Sequence, residues 1–139
     1  MGQSVGGLLT IPAARVAGGS GLIDADGFKS VSGLTPTLWV YRWTKSPSVT
    51  CTDKSTFVAN VADQPYKLVG HPYSITLGNS PGTWDTATYG AVALSTLANF
   101  KNQDASPGVN IYECIVAGTA FTTPSGTTDL SERIGGLQD

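Results

Sequence analysis

The strongest constraint on the fold is an aromatic stretch, Thr35–Thr44, in which large side chains alternate along the chain. Successive residues of a β-strand point to opposite faces of a sheet. One face of a strand here carries Trp39, Tyr41 and Trp43. The other face carries Leu38, Val40 and Arg42. Because aromatic and β-branched residues favour a pleated, half-buried surface, the stretch predicts a strand covered by a helix on one face and by a partner, a ligand or the interior of an assembly on the other.

The residues that follow predict further strands. Val49–Val61 has extended character, with an apolar side expected from Phe57, Ala59 and Val61. In Tyr66–Leu77 the apolar residues alternate cleanly with Ser74 and Thr76. These are Tyr73, Ile75 and Leu77. The pattern predicts a meander of antiparallel strands.

The hydrophobic period changes in the segment Asp85–Gln103. Its apolar residues recur at spacings of three and four, which is typical of one face of a helix. They are Tyr89, Val92, Ala93, Leu97 and Phe100. Thr83 or Asp85 is a candidate cap at the start, and Pro107-Gly108 lies beyond the end. The next apolar segment, Val109–Ala117, fits either a buried strand or a short helix by its periodicity, and we favour the strand.

Together these elements predict a single α+β domain over residues 1–139. Its fold would be an antiparallel β-sheet meander followed by one main α-helix packed on one sheet face, with extended Gly/Thr-rich termini. Residues 1–33 would form a Gly-rich arm or short strands, residues 34–117 the core sheet and helix, and residues 118–139 an extended tail. The 40% of hydrophobic residues and the net charge of −2 exclude the composition of a disordered chain.

Charge is unevenly distributed along the chain. From Lys29 to Lys67 five basic residues stand against two acidic ones, whereas from Leu68 onward two basic residues stand against six acidic ones. The five basic residues are Lys29, Arg42, Lys45, Lys54 and Lys67. The basic middle is explained either by scatter among few charges or by a sheet surface that meets nucleic acid or an acidic neighbour.

The two cysteines, Cys51 and Cys114, do not make a disulfide framework, and we expect each to be a small buried hydrophobic residue rather than half of a bridge. Met1–Thr10 lacks the basic region of an export signal. No apolar run approaches the roughly 20 residues of a membrane helix, so no membrane partner is expected.

Residues that could carry catalysis are sparse. The one histidine, His71, precedes Pro72 and fits a strand end, and the chain contains no nucleophile elbow. Two scattered cysteines and this histidine lack the close ligand pair of a zinc site. Asp24-Ala25-Asp26-Gly27 resembles the start of a calcium loop, but Phe28 occupies the next ligand position, so a plain turn is expected. We therefore expect no enzyme, no cofactor and no metal.

The order of elements carries one family resemblance, over about Leu38–Val116. A strand meander, then Tyr73–Asn79 leading into a capped helix, then Pro107-Gly108 and an apolar segment, resembles the coat proteins of small single-stranded RNA bacteriophages. The resemblance implies dimers that pair their sheets and cross their helices over one face. It also implies an open sheet face that lines a shell and binds an RNA hairpin. The Gly-rich start and the tail after Gly118 depart from that family.

These observations predict a virion structural protein, either a coat or a decoration protein, that self-assembles in many copies. Single-stranded RNA is the candidate partner, with stacking by Tyr41 or Trp43 and phosphate contacts from lysines and Arg42. The expected nucleic-acid-binding residues are Tyr41, Trp43, Lys45, Thr52, Lys54 and Lys67. The alternatives are an extracellular filament subunit and a soluble β-rich carbohydrate-binding module. In that module the exposed stacking platform would come from Trp39, Tyr41, Trp43 or Trp84.

Overall fold

The computed structural model describes residues 2–68, 71–79, 87–119 and 130–138. These residues form eight β-strands and one short 3-10 helix, Val61–Tyr66. The strands are β1 (Ser4–Pro12), β2 (Ser20–Ser30), β3 (Thr37–Trp43), β4 (Tyr73–Thr76), β5 (Gly78–Asn79), β6 (Thr88–Lys101), β7 (Asn110–Ala117) and β8 (Leu130–Gln138). In this part of the chain no helix is long and apolar enough to cross a membrane.

The strands build two antiparallel sheets of four strands each. Sheet I has the order β1-β7-β3-β4, and sheet II has the order β5-β6-β2-β8. The chain passes repeatedly from one sheet to the other, so strands that are neighbours in sequence often lie in different sheets. Buried residues of both sheets meet in shared clusters, for example Phe28 of β2 with Val40 of β3 and Ile115 of β7. The fold is therefore a β-sandwich with its core between the sheets.

The predicted α+β fold is wrong because the expected helix Asp85–Gln103 is largely a strand. Residues Thr88–Lys101 form β6, which pairs with β2 from Thr88 opposite Ser30 to Lys101 opposite Ser20. Tyr89 is 41% exposed and Phe100 is buried, as expected for strand residues on opposite faces. Gly90 allows β6 to lie close to β4. A Cβ added at this position would lie 2.5 Å from Ile75 Cγ2, which is too close for any side chain. Pairing with a distant strand has overridden the local helical spacing, and the cap candidates Thr83 and Asp85 lie outside the described residues.

For residues 1–33, strands were one of the two alternatives, beside a Gly-rich arm, whereas the expected extended tail contains a strand. Residues 1–33 supply β1 and β2, and β2 is an inner strand of sheet II. The C-terminal segment supplies β8, whose residues Leu130 and Ile134 pack against the core. Gly-rich composition suggested loose segments, but glycine is compatible with a strand that has a partner to pair with.

Local alternation was predicted well in three places. Leu38, Val40 and Arg42 are fully buried, on the opposite face of β3 from Tyr41. Val109–Ala117 is confirmed as mostly strand, β7, and β4 lies in the alternating segment before Leu77. Val49–Val61 is different, because its only strand-like features are two isolated bridges, from Thr50 to Val58 and from Thr56 to Gln3. Ala59 and Val61 there are exposed rather than part of an apolar side.

The two cysteines are bonded to each other, which corrects the expectation of two separate buried thiols. Cys51 and Cys114 form a disulfide with Cα atoms 6.2 Å apart. The bridge joins the segment that follows β3 to β7, and both cysteines pack with Trp43 and Val116. Sequence separation alone could not indicate that the two residues meet, because their approach depends on the path of the whole segment between them.

Candidate functional site

The aromatic residues predicted to bind RNA lie on the outer face of sheet I. The Tyr41 and Trp43 rings stack with centroids 6.0 Å apart and planes 15° from parallel. Phe57, from the segment after β3, lies 4.6 Å from the Tyr41 ring. Trp43 is only 2% exposed, so it cannot stack on a base unless this segment moves away.

The predicted polar residues lie in or beside the segment Thr44–Lys67, which we call the covering segment. Lys45 Nζ lies 4.5 Å from the centroid of the Tyr66 ring. Thr52 and Lys54 are exposed, and Lys54 occupies a turn with a positive φ of 63°. Lys67 is half-buried and forms a bridge with Trp43. Because Trp43 is buried, these side chains do not form one open surface with the two rings.

Arg42 lies inside the sandwich, which corrects its expected contact with phosphate. Its guanidinium donates from Nη1 and Nη2 to the two Asp26 oxygens at 2.7 and 2.8 Å. Nε donates to Glu113 Oε2 at 2.7 Å, and Nη2 to Glu132 Oε1 at 2.7 Å. Asp26 is on β2 and Glu132 on β8, so the cluster joins both sheets. Asp26 is therefore a buried strand residue and not part of the expected turn.

Burial changes the ionisation of this ion cluster. Desolvation, a hydrogen bond with Glu113 and repulsion from that carboxylate raise the pKa of Glu132 to about 9. Burial also raises the pKa of Asp26, although the hydrogen bond from Arg42 opposes the shift. For Arg42, burial acts to lower the pKa, but Asp26 and Glu113 outweigh it and raise the pKa. Glu132 is therefore a neutral acid at pH 7. It is a hydrogen-bonding partner of Arg42 rather than a further negative charge beside Asp26 and Glu113.

The ion cluster has the form of a structural clamp. Its three carboxyl groups surround a guanidinium, which donates a charge-assisted hydrogen bond to each of them and leaves Glu113 Oε1 without a partner among the described residues. Within the described ranges no set of three or more His, Cys, Asp and Glu residues is arranged to hold a metal ion. Four side chains from four strands meet here, so the cluster fixes how the two sheets lie on each other.

A second feature lies on the outer face of sheet II. A depression of about 540 Å³ is lined by residues of β2, β6 and β8. On β2, Lys29 is paired with Tyr89 of β6 and with Ser131 of β8. Lys29 Nζ is 5.4 Å from the centroid of the Tyr89 ring. We call this depression, with Arg133 at its edge, the sheet II patch.

Sequence reasoning missed the sheet II patch. Tyr89 was assigned to the buried face of a helix, and Arg133 to the tail. Lys29 was counted in the basic middle of the chain, and this was the only signal that pointed to the patch. The register of three strands, which the sequence does not show, brings these residues together.

Comparison of this chain with protein-family models, with curated proteins and with solved structures finds no match.

Proposed function

We propose that the chain is a self-assembling structural subunit of a virion, a coat or decoration protein present in many copies. The observation that carries this proposal is the length of unpaired edge on sheet II. Within the described ranges, β8 pairs only with β2, and β5 covers only Thr88 and Tyr89 of β6. Most of β6 and the whole outer side of β8 therefore have no partner strand in this part of the chain.

An unpaired strand edge presents a row of backbone N–H and C=O groups that another chain can pair with. Strand β8 is nine residues long and contains neither proline nor lysine, two residues that commonly protect edges. On sheet I, the edge strand β1 is partly covered, because Ser4 exchanges backbone hydrogen bonds with Lys54 and Ser55. The contrast between the β1 and β8 edges favours pairing between copies through sheet II.

The charge balance favours close packing of many copies. Charged residues are 13% of the chain and the net charge is −2, so repulsion between copies is weak. Sandwiches in which the chain crosses repeatedly between two sheets include the jelly rolls of viral capsids and lectins. A fold does not fix a function, and here the unpaired edges favour the assembling class.

The carbohydrate-binding alternative required an exposed row of rings. On β3, Trp39 is partly exposed, Tyr41 is half-buried and Trp43 is buried. Trp84, the fourth candidate, lies outside the described residues. The rings of β3 therefore do not form an open platform for a sugar, and this weighs against the alternative.

Light scattering and electron microscopy of the purified protein test the proposal. We expect closed or helical particles, and the morphology separates a shell from the filament of the other alternative. A protein that stays monomeric at high concentration would contradict the proposal.

Proline substitutions test whether the β8 edge makes the contact. Backbone groups of adjacent strand residues point to opposite edges, so of Leu130 and Ser131 one faces β2 and the other faces the open edge. Proline at the edge-facing position removes a donor without breaking the β2–β8 ladder. The edge-facing position is the one whose proline variant, Leu130→Pro or Ser131→Pro, keeps a circular dichroism spectrum and melting temperature closer to those of the unchanged chain. We expect that variant to remain monomeric. If that folded variant assembles like the unchanged chain, another surface makes the contact.

A further inference from the structure

We infer that a pocket at one end of the sandwich binds a free aliphatic carboxylate, such as a medium-chain fatty acid. The apolar chain of the ligand lies between the two sheets, and its carboxylate contacts Arg15. This inference does not rest on assembly, because all the described residues that line the pocket belong to one copy of the chain.

The pocket lies where the end of β1 faces the inner side of sheet II. Its volume is about 490 Å³, and small-ligand sites usually have about 300–1,000 Å³. Ile11 of β1 forms one wall, and the opposite wall includes Ile23 of β2 and Phe100 of β6. Ile23 and Phe100 are buried in the core cluster that also contains Ile111 of β7. The pocket is therefore continuous with the core between the two sheets.

The walls of the pocket are almost entirely apolar. Apart from Arg15, each lining residue in the described part of the chain is glycine, alanine, proline, phenylalanine, leucine or isoleucine. A sugar or a nucleotide would leave its polar groups here without side-chain partners, which is unfavourable for buried polar groups. Phe100 is the one ring among these lining residues, whereas four of them are leucine or isoleucine. An aliphatic chain matches this lining.

Arg15 gives the pocket one positive charge at its mouth. The residue is exposed, and it follows the buried Ala13 and Ala14 in the segment after β1. Its guanidinium forms no hydrogen bond or ion pair with the described residues, and no carboxyl group is among the described residues that line the pocket. An arginine fork matches a carboxylate, to which it can donate two parallel hydrogen bonds. A fatty acid is therefore complementary to both parts of the site.

Isothermal titration calorimetry of the full chain with hexanoate, octanoate and decanoate, each below its micellar concentration, tests this assignment. We expect the affinity to rise about 4-fold for each added methylene group until the pocket is filled, which is the value of one buried methylene. Decanoate should also raise the melting temperature, because it binds the folded chain and not the unfolded one.

The role of Arg15 is tested with 1-decanol, which has the same chain as decanoate without the charge. Decanol should bind about 2- to 5-fold more weakly than decanoate, the effect of an exposed ion pair. Arg15→Gln should remove this difference. The matched control, Arg133→Gln, removes the same charge from the outer face of β8 and should preserve the difference.

A second pair of variants tests whether the chain of the ligand enters the pocket. Ala13→Leu adds about three carbon atoms to a lining residue, so it should weaken decanoate binding about tenfold or more. Thr10→Leu is the control, because Thr10 is exposed and neighbours Ile11 on the opposite face of β1. Melting curves without ligand show whether Ala13→Leu folds, and Ile11→Phe takes its place if it does not.

The inference is overturned if no fatty acid binds, if affinity does not depend on chain length, or if Arg15→Gln behaves like Arg133→Gln. Unchanged decanoate binding by a folded filling variant would also overturn it. Absence of binding together with loss of particle formation in Ala13→Leu would assign the pocket to a side chain of another copy instead. Particle formation by the unchanged chain is measured separately, so failure of this inference leaves the assembly proposal untouched.

Discussion

The two sheets of this sandwich differ in what lies over their outer faces. On sheet I, the covering segment packs Phe57 and Tyr66 near Tyr41 and Trp43, and the Cys51–Cys114 disulfide fastens it to β7. The sheet II patch is lined only by β2, β6 and β8 among the described residues. The sheet richer in aromatic residues is thus closed over Tyr41 and Trp43, while Trp39 at the other end of β3 stays exposed. Aromatic content alone does not identify a binding face, because the path of the following segment decides whether the rings are accessible.

The same difference suggests how the molecule loosens. Sheet I is held from both sides, by the core and by the cross-linked covering segment. Sheet II is held from its inner side, by apolar contacts and by the ion cluster around Arg42. We therefore expect sheet II to open before sheet I when the contacts between them are weakened.

The largest expected effect comes from Arg42→Met, which removes the cation shared by both sheets. The carboxylates of Asp26 and Glu113 would then be buried without their partner, and breaking a buried ion pair in this way costs about 3–5 kcal/mol. Denaturant unfolding measures the loss in the free energy of unfolding. Hydrogen exchange should show β2 and β8 opening more than β7.

The control for Arg42→Met adds Asp26→Asn and Glu113→Gln. Removing the carboxylates should recover part of the stability, because the buried charges are gone. An exposed ion pair contributes up to about 1 kcal/mol to stability. If Arg42→Met alone lowers the free energy of unfolding by less than that, the ion cluster does not hold the two sheets together.

Removing the disulfide should act on sheet I alone. The bridge closes a sequence separation of 63 residues, and loss of a disulfide typically costs about 2–4 kcal/mol. Cys51→Ser with Cys114→Ser should lower the free energy of unfolding and release the covering segment, so that tryptophan fluorescence shifts to the red as Trp43 meets water. Exchange in β2 and β8 should change little. Equal loosening of both sheets would remove the distinction between them.

Measured per pH unit, the smallest effect concerns the neutral acid of the ion cluster. The pKa of Glu132 is raised from 4.5 to about 9, so the folded chain holds its proton more tightly than the unfolded chain. The resulting stability is fully present below about pH 4.5 and is lost as pH rises toward 9, by up to about 1.4 kcal/mol per pH unit. Unfolding free energies at pH 6, 7, 8 and 9 measure the slope.

Glu132→Gln is the matched variant for this pH dependence. Glutamine is neutral at every pH and keeps the size and hydrogen-bonding capacity of the protonated acid. The slope of stability against pH should flatten. Parallel curves for the two proteins would show that Glu132 does not hold its proton in the folded chain.

The sequence indicated the parts of the fold that local patterns determine. Alternation identified β3 and its buried face, and the short apolar run of β7 was favoured as a strand. The spacing of the apolar residues in β6 fits a helix equally well. The segment is a strand because it pairs with β2, which is far away in sequence. Asp26 resembled a turn residue because the stretch Asp24-Ala25-Asp26-Gly27 has the composition of a turn, and its partner Arg42 comes from another segment. The sheet II patch could not be found either, since Lys29, Tyr89 and Arg133 come from three distant segments.

Hydroxyl-radical footprinting of the monomeric chain tests the contrast between the faces most directly. Tyr89 is 41% exposed on sheet II and Trp43 is 2% exposed on sheet I. With rates normalised to the free amino acids, we expect Tyr89 to be oxidised many times faster than Trp43, in proportion to these exposures. Reducing the disulfide should then raise the oxidation rate of Trp43 and leave that of Tyr89 unchanged. Equal rates at the two rings with the disulfide intact would contradict the account of one closed and one open face.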